Sequence, residues 1–545
     1  MAVELTINGQ SIPTIAGLSL FDHAESAGIH VPTSCHKQGK CKECLMEVTS
    51  GMELLSPRTP EEDHLPGKER FRLSCRTKVL GGDSGRIACH TMRRGRMRIE
   101  RQGTVRPSFA VEPAPGYGIA MDVGTTTVVL RLFDLQTGDM LADASFENPQ
   151  RFGGSDIMAR IQYDTDHRGR LLMRTLAGYL THAIEEFPVD PQSIREMVVV
   201  GNSTMRDLFF RQSVYSIGQS PYRSITELDM AEGRRSTTSL IDTGQHCLLP
   251  IHPQARVYGG PIVSGHVGAD AAACLLASGM AHEDRLVAIM DLGTNTELIL
   301  GNQHRILAAS CPAGPAFEGG AISCGMPALD GAIEDVELDG ADESRGGLRL
   351  DGAVQSKGDF GLAGGVKFNV IGGGAPAGIA GSGLIDILSE LIRTGHMNEM
   401  GRFHEPHPFT LDQEHGIYFT ESDANELAQA KGANASGLQV VFQQYGVDFS
   451  AVDVFYLAGG FGQHLKIAAA RRIGLIPDLP DAKFVSAGNM AIEGATMALL
   501  SQTKRQELEA LVKRVEHCRL ETHPDFFDFF VEGCQFKPLR ILAPR

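Results

Sequence analysis

The sequence predicts a small α+β domain followed by a large, two-lobed α/β part. Three observations predict it. Four of the eleven cysteines fall before residue 76. Two stretches, Met121–Leu130 and Ala288–Leu298, repeat one strand–turn–strand pattern around Asp-x-Gly-Thr. From Tyr117 onward, strand-like and helix-like segments alternate, as they do in α/β proteins.

The bulk properties bound the rest. A chain of 545 residues predicts two or three domains. Hydrophobic content of 42% and charged content of 21% are those of a globular protein. A net charge of −16 argues against a nucleic-acid partner, whose phosphates would be repelled. The N-terminus lacks a basic segment followed by an apolar one. The least charged long stretch, 369–385, is rich in glycine and reads as a loop rather than a membrane span. A soluble, cytoplasmic protein is expected. An odd number of cysteines argues against a secreted disulfide framework and for thiolate ligands or reduced thiols.

At the N-terminus, Val3, Leu5 and Ile7 alternate with polar residues as in a half-buried strand. Asn8-Gly9 is a hairpin signal, and Ser11–Ile15 is the expected return strand. Ser19–Gly28 reads as a short helix ended by glycine. Cys35, Cys41 and Cys44 then follow with the spacing C-x5-C-x2-C, and Cys75 comes after thirty intervening residues. A [2Fe–2S] cluster takes four thiolates. A flexible loop wraps three of them round one side, and a distant strand supplies the fourth. Zinc sites usually show two close pairs. Three crowded cysteines and one alone favour the cluster over a zinc site or four unpaired thiols. Cys89 falls outside the pattern and is expected on a strand. The segment resembles plant- and vertebrate-type [2Fe–2S] ferredoxins, which implies a β-grasp fold.

Arg93–Arg101 is a basic run in an acidic chain, and Pro107, Pro113, Pro115 and Gly116 follow it. Together they read as a solvated linker, suited to tethering a redox domain that moves. The expected organisation is therefore a ferredoxin-like domain over 1–92, a linker over 93–116, and a second part over 117–545 with lobes near 117–257 and 258–545.

In the second part, Asp122 ends an apolar run, Gly124 lets the chain fold back, and Thr125, Thr126 and Thr127 follow. Such a turn gathers N–H groups and hydroxyls that suit phosphate. Asp291, Gly293, Thr294, Asn295 and Thr296 repeat it. Two copies suggest two related lobes, each offering a hairpin to one nucleotide. Met197–Met205 reads as a buried strand ending in small polar residues, and Val454–Gly462 as another that ends in Gly459-Gly460-Phe461-Gly462. No GxxxxGK[ST] loop is present. Two phosphate hairpins and one Gly-Gly turn, in this order, resemble the actin, Hsp70 and sugar-kinase superfamily. That resemblance implies ATP binding. It places Asp122, Gly124, Thr125 and Thr126 in the first phosphate motif, Asp291, Gly293, Thr294 and Asn295 in the second, and Gly459, Gly460 and Phe461 in the adenosine motif. The two aspartates would hold Mg²⁺ through water and orient the attacking water. Gly381, Ser382 and Gly383 read either as tight loop geometry or as nucleotide neighbours, and Glu318 as loop geometry or a phosphate neighbour.

With GPAFEGG, GSGLIDIL and LAGGFG in order behind a ferredoxin-like segment, the chain resembles the reductive activators of corrinoid-dependent enzymes. The resemblance implies an actin-like ATPase. It would return an inactive Co(II) corrinoid protein to Co(I) by one electron from the [2Fe–2S] cluster, with ATP and Mg²⁺. A ferredoxin or flavodoxin would act as low-potential donor, and a homodimer is possible. Some long family members carry an extra middle domain. Here only 101–116 separates the two parts, so a corrinoid protein of a methyltransferase or O-demethylase system is the expected partner. Two alternatives stand. One is an electron activator of the 2-hydroxyacyl-CoA dehydratase type, with Cys274, Cys311 and Cys324 as ligand candidates. The other is a non-catalytic redox sensor. Cys518 and Cys534 are expected to pack only.

Overall fold

The computed structural model describes residues 3–541 apart from 66–69, 83, 93–97, 101–108, 168, 340–353, 357–364, 405–407 and 461–464. The chain divides into two compact units. One comprises 1–270 with 495–509, the other 271–494 with 510–545.

The first unit begins with strands β1 (Glu4–Ile7) and β2 (Gln10–Ile12), helix α1 (Leu20–Ser26), then β3 (Leu45–Ser50), β4 (Phe71–Leu73) and β5 (Arg86–Thr91). The sheet order is β2-β1-β5-β3-β4, with β1 and β5 parallel, which is the β-grasp arrangement expected. Local chemistry explains the elements. Asn8 and Gly9 both take positive φ at the β1–β2 turn. Ser19 caps α1 by accepting from the Asp22 N–H, and Asp22 reaches back to Ser19. Cys89 lies on β5, as expected.

A second sheet follows in the same unit. Its strands are β6 (Arg98–Glu100), β7 (Tyr117–Val123), β8 (Thr127–Asp134), β9 (Met140–Glu147), β10 (Ile194–Gly201), β11 (Leu240–Thr243) and β12 (Arg256–Gly259), in the order β11-β12-β10-β7-β8-β9-β6. Its helices include α2 (Ile157–Asp166), α3 (Leu171–Glu185), α4 (Ser203–Phe209) and α5 (Ile225–Ala231).

The second unit repeats this plan. After α6 (Ala269–Ser278) come β13 (Val287–Asp291), β14 (Thr296–Gly301) and β15 (Ile306–Cys311). A smaller sheet holds β16 (Ala332–Leu338), β17 (Val354–Ser356), β18 (Val366–Val370) and β19 (Gly378–Ile379), followed by α7 (Gly381–Arg393). The hairpin β20 (Phe409–Asp412) and β21 (Ile417–Phe419) leads into α8 (Glu421–Tyr445). Strands β22 (Val454–Ala458), β23 (Lys483–Gly488) and β24 (Val515–His517) complete a sheet ordered β23-β22-β13-β14-β15-β24. In both units an antiparallel three-strand meander continues into two parallel strands. The runs β9-β8-β7-β10-β12 and β15-β14-β13-β22-β23 are therefore topologically equivalent.

Two expectations about organisation change. The unit boundary falls at 270/271 rather than near 257, and 495–509 returns to the first unit. The reason is a set of long-range polar contacts. Tyr258 donates to Glu509 at 2.7 Å, Arg505 pairs with Glu196 at 2.6 Å, and Glu112 accepts from the N–H groups of Gln502 and Thr503. The expected tether is also not free where it is described. Residues 98–100 pair as β6 with the edge of β9, whose backbone groups otherwise lack a partner on that side. Among the described residues no helix is long and apolar enough to cross a membrane.

Candidate functional site

The four cysteines expected as cluster ligands form two thiol pairs. Cys44 Sγ lies 3.2 Å from Cys75 Sγ. Cys35 shares a hydrogen bond with Cys41, and Thr33 Oγ1 sits 4.0 and 3.9 Å from these two sulfurs. Backbone geometry builds the loop. His36, Lys37, Gly39 and Lys42 all take positive φ, which curls the chain around the sulfurs. Burial pushes the Cys35 thiol up, but N–H donors from Cys41, Lys40 and Gln38 outweigh it and bring it down to about 7. No group of three or more His, Cys, Asp or Glu among the described residues is close enough for a single ion. Two pairs suit a two-iron cluster, in which each iron takes two thiolates. The residues therefore fit a [2Fe–2S] group.

The first hairpin joins β7 to β8 through Gly124–Thr126. Gly124 N–H donates to Thr127 O at 3.0 Å, and a Cβ on Gly124 would stand 2.7 Å from that oxygen, so only glycine fits. Asp122 pairs in register with Val129 on β8 and Val200 on β10. Two asparagines that sequence reading did not single out hold the turn. Asn148 donates its amide to Gly124 O at 2.8 Å and its N–H to Thr126 O at 2.6 Å. Asn202 donates to Thr125 Oγ1 at 2.9 Å while its carbonyl accepts from Met205 N–H as the N-cap of α4. Each asparagine directly follows a strand of the fold, β9 or β10, whereas the sequence reading ran the second strand on through Asn202 to Met205. Thr126 remains half-buried and Thr127 exposed.

The second hairpin joins β13 to β14 through Leu292–Asn295. Asp291 pairs with Glu297 and with Ala458 on β22, the same relation that Asp122 has to its neighbours. The side chain accepts from Cys274 Sγ on α6 at 3.3 Å. Burial, opposed by that hydrogen bond, pushes its carboxyl up to about 6. Thr294 Oγ1 donates to Glu318, and Gly314 N–H donates to Thr294 O at 2.8 Å, so Glu318 does meet the hairpin. Gly459 has φ +97°, and a Cβ there would come 2.1 Å from Leu292 O, which locks the Gly-Gly turn against this hairpin. Around Gly460 the space is open among the described residues. Phe461 lies outside them. Gly381, Ser382 and Gly383 are buried at the start of α7, beside the turn that carries Glu318. There Ser382 donates to Glu334 O at 2.7 Å, and a Cβ on Gly383 would reach within 2.5 Å of Ile333 O. Ser382 and Gly383 are thus closely packed where they stand. Thr296 is fully buried on β14, while Gly293 and Asn295 line the turn itself.

With two equivalent hairpins and a paired-thiol loop in one chain, comparison with known proteins becomes decisive. The model for the 2Fe-2S iron-sulfur cluster binding domain matches residues 5–80, the RACo middle region matches 117–283, and the C-terminal domain of RACo, the ASKHA domain, matches 285–543. A corrinoid activation enzyme, RamQ of Eubacterium limosum, is 30% identical over 453 residues, covering 77% of this chain and 70% of that protein. The chain belongs to the family of corrinoid reductive activators. A reductase of Methanosarcina barkeri named for the Co(II) methylated amine-specific corrinoid protein is 24% identical over 429 residues, covering 76% of each chain. The solved structure of a reductive activator for corrinoid, iron-sulfur protein shares the fold, with a TM-score of 0.68 and 24% identity over 98% of both chains. For this activator the RACo middle region corresponds to the hairpin sheet of the first unit, the segment that sequence reading placed in the first ATPase lobe.

The two contacts of Asn202 give a first prediction. Asn202→Ala removes both the N-cap of α4 and the donor to the buried Thr125 hydroxyl. It should destabilise the activator by about 2 kcal/mol and lower its melting temperature. An unchanged thermal transition would show that neither contact contributes.

Proposed function

We propose that this activator reduces the Co(II) form of a corrinoid protein to Co(I) by one electron, with hydrolysis of ATP. The observation that carries the reading is the union, in one chain, of a paired-thiol ferredoxin loop with two topologically equivalent Asp-x-Gly-Thr hairpins. The relatives' names support the substrate. One is named for corrinoid activation and another for a Co(II) corrinoid protein. The second of these favours a methyltransferase-type partner. Cys35, Cys41, Cys44 and Cys75 would hold a [2Fe–2S] cluster, which supplies the single electron. Asp122 and Asp291 would hold Mg²⁺ through water and orient the water that attacks ATP. Thr125, Thr126, Thr294 and Asn295 would offer hydroxyl, amide and N–H donors to phosphate. Gly459 and Gly460 would leave room for the base. Glu318 would fix the Thr294 hydroxyl. A low-potential ferredoxin or flavodoxin would reload the activator in the cytoplasm, and two copies would pair as a homodimer.

ATP is needed because Co(II) to Co(I) is a difficult reduction, and for one electron each 59 mV of mismatch costs tenfold in equilibrium. A nucleotide-dependent change in affinity for the Co(II) state pulls the transfer forward, up to the difference in affinity between states. The test is anaerobic absorbance of a Co(II) corrinoid protein mixed with the activator, a low-potential reductant, Mg²⁺ and ATP. The Co(I) spectrum should appear with ATP and stay absent without it. Equal appearance without ATP would reduce the protein to a simple electron carrier.

The dehydratase-type alternative has little support from its ligand candidates. Cys274 faces Asp291, Cys311 is buried against Gly437, and the Cys324 thiol points to Gly416 O at 3.8 Å.

A further inference from the structure

The loop that carries three of the four cysteines is walled on one side by a helix from outside the ferredoxin segment. Arg174, Gly178 and His182 lie four residues apart on α3 and so form one stripe. Each meets residues 30–43. His182 stacks on His30, with ring centroids 4.1 Å apart. A Cβ on Gly178 would stand 2.8 Å from Pro32 Cβ, so the helix backbone approaches the loop directly. Arg174 donates Nη2 to Cys41 O at 2.8 Å. Its Nη1 lies 3.7 Å from Glu43 Oε1, which also accepts from Ser34 Oγ at 2.9 Å. Glu43 is buried, whereas the Arg174 side chain keeps about a third of its surface in water, so the pair is screened from the arginine side only.

We infer that Arg174 is a positioning residue that sets the reduction potential of the [2Fe–2S] group, its positive charge raising the potential and the Glu43 carboxylate lowering it. The inference rests on the reading that Cys35, Cys41, Cys44 and Cys75 hold that group. Its physical basis is charge. One-electron reduction, by an external donor and without any proton, adds a negative charge between the two thiol pairs. A guanidinium hydrogen-bonded to the carbonyl of a ligand residue stabilises the added charge, and a carboxylate adjoining Cys44 opposes it. The positive charge comes from α3, whereas Lys40, Lys42 and Arg76 belong to the ferredoxin segment itself. A helix beyond the ferredoxin segment thus contributes directly to how strong a reductant the activator is.

The test is a redox titration of the full-length, iron-loaded protein followed by electron paramagnetic resonance, with no corrinoid protein present. Iron content and the oxidised spectrum are measured alongside. Arg174→Gln should reduce the ratio of reduced to oxidised protein about tenfold at fixed potential, a shift of 59 mV to lower values. Glu43→Gln should shift it the opposite way by a similar factor. Arg174→Lys keeps the charge and should stay within about threefold of the parent, and the double variant should fall near the parent. A purely structural role would move both single variants in one direction or neither, and either result overturns the inference. A parent protein that binds no iron would instead overturn the ligand assignment beneath it.

Discussion

Asp291→Asn is expected to unfold at a higher temperature than the parent above pH 6 while losing ATP-dependent Co(I) formation. Burial, opposed only by the Cys274 thiol, raises the Asp291 carboxyl from 3.8 to about 6. The unfolded chain therefore ionises this group at lower pH than the folded chain does. Above pH 6 folding carries the full cost of placing a charge there, and below 3.8 it carries none. A shift of this size corresponds to at most about 3 kcal/mol, since the side chain keeps some contact with water. Asparagine removes the cost, so the gain should be largest at pH 7–8 and vanish as the pH falls towards 4. The measurement is scanning calorimetry of nucleotide-free, Mg²⁺-free protein across that range. Activity should fall about 100-fold or more, because asparagine cannot act as the base that orients the attacking water. Asp122→Ala, at the equivalent register position, should lose activity similarly. A variant with parental activity and a pH-independent melting point would remove Asp291 from the site. The group that folding tolerates at a cost is the group the chemistry requires.

How much of this was legible in the sequence depends on distance along the chain. The hairpins were legible because Asp-x-Gly-Thr packs its turn chemistry into a few residues, and the duplicate sheet confirms that the two turns are equivalent. The cysteine loop was legible for the same reason, and the split of its thiols into two pairs is new. What stayed hidden is carried by remote partners. Asn202 meets Thr125 across 77 positions, and Arg174 meets Cys41 across 133. Glu112 accepts from Ser501, Gln502 and Thr503, 389 to 391 positions away, and this returns 495–509 to the first unit. No local pattern announces such pairs, because each residue alone reads as an ordinary polar surface or cap residue. The proline-rich joint misled for a related reason. Its composition is that of a linker, but an open edge on β9 captured three of its residues as a strand. Cys274 entered the sequence reading only as a ligand candidate for the dehydratase-type alternative, and its contact with Asp291 had no local signal, since a cysteine in an alanine-rich helix reads as packing.

Cys44→Ser should show the converse of Asp291→Asn, a protein that binds nucleotide normally but carries no [2Fe–2S] absorbance or reduced-state resonance. Cys44 is fully buried, and its carbonyl is held by both the N–H and the hydroxyl of Ser74, each at 2.8 Å. The backbone at the start of β3 is therefore anchored independently of the thiol, and a serine can occupy it. What the variant loses is one of the two thiolates of the Cys44–Cys75 pair, and a hydroxyl is a far poorer ligand for soft iron–sulfur chemistry. ATP-dependent Co(I) formation should fall to the level seen without the activator, while nucleotide affinity stays within about twofold, since Cys44 belongs to the ferredoxin segment and to neither hairpin. The same variant separates the competing readings. If iron and activity persist, the electron route runs through other cysteines, and the dehydratase-type arrangement gains the ground this one loses. If cobalt reduction stops but ATP turnover becomes insensitive to added reductant, the nucleotide part was reading the cluster's state, as a redox sensor would. Loss of the cluster and of cobalt reduction, with binding and hydrolysis of ATP intact, is the outcome that a relay joined to a separate ATP-driven switch requires.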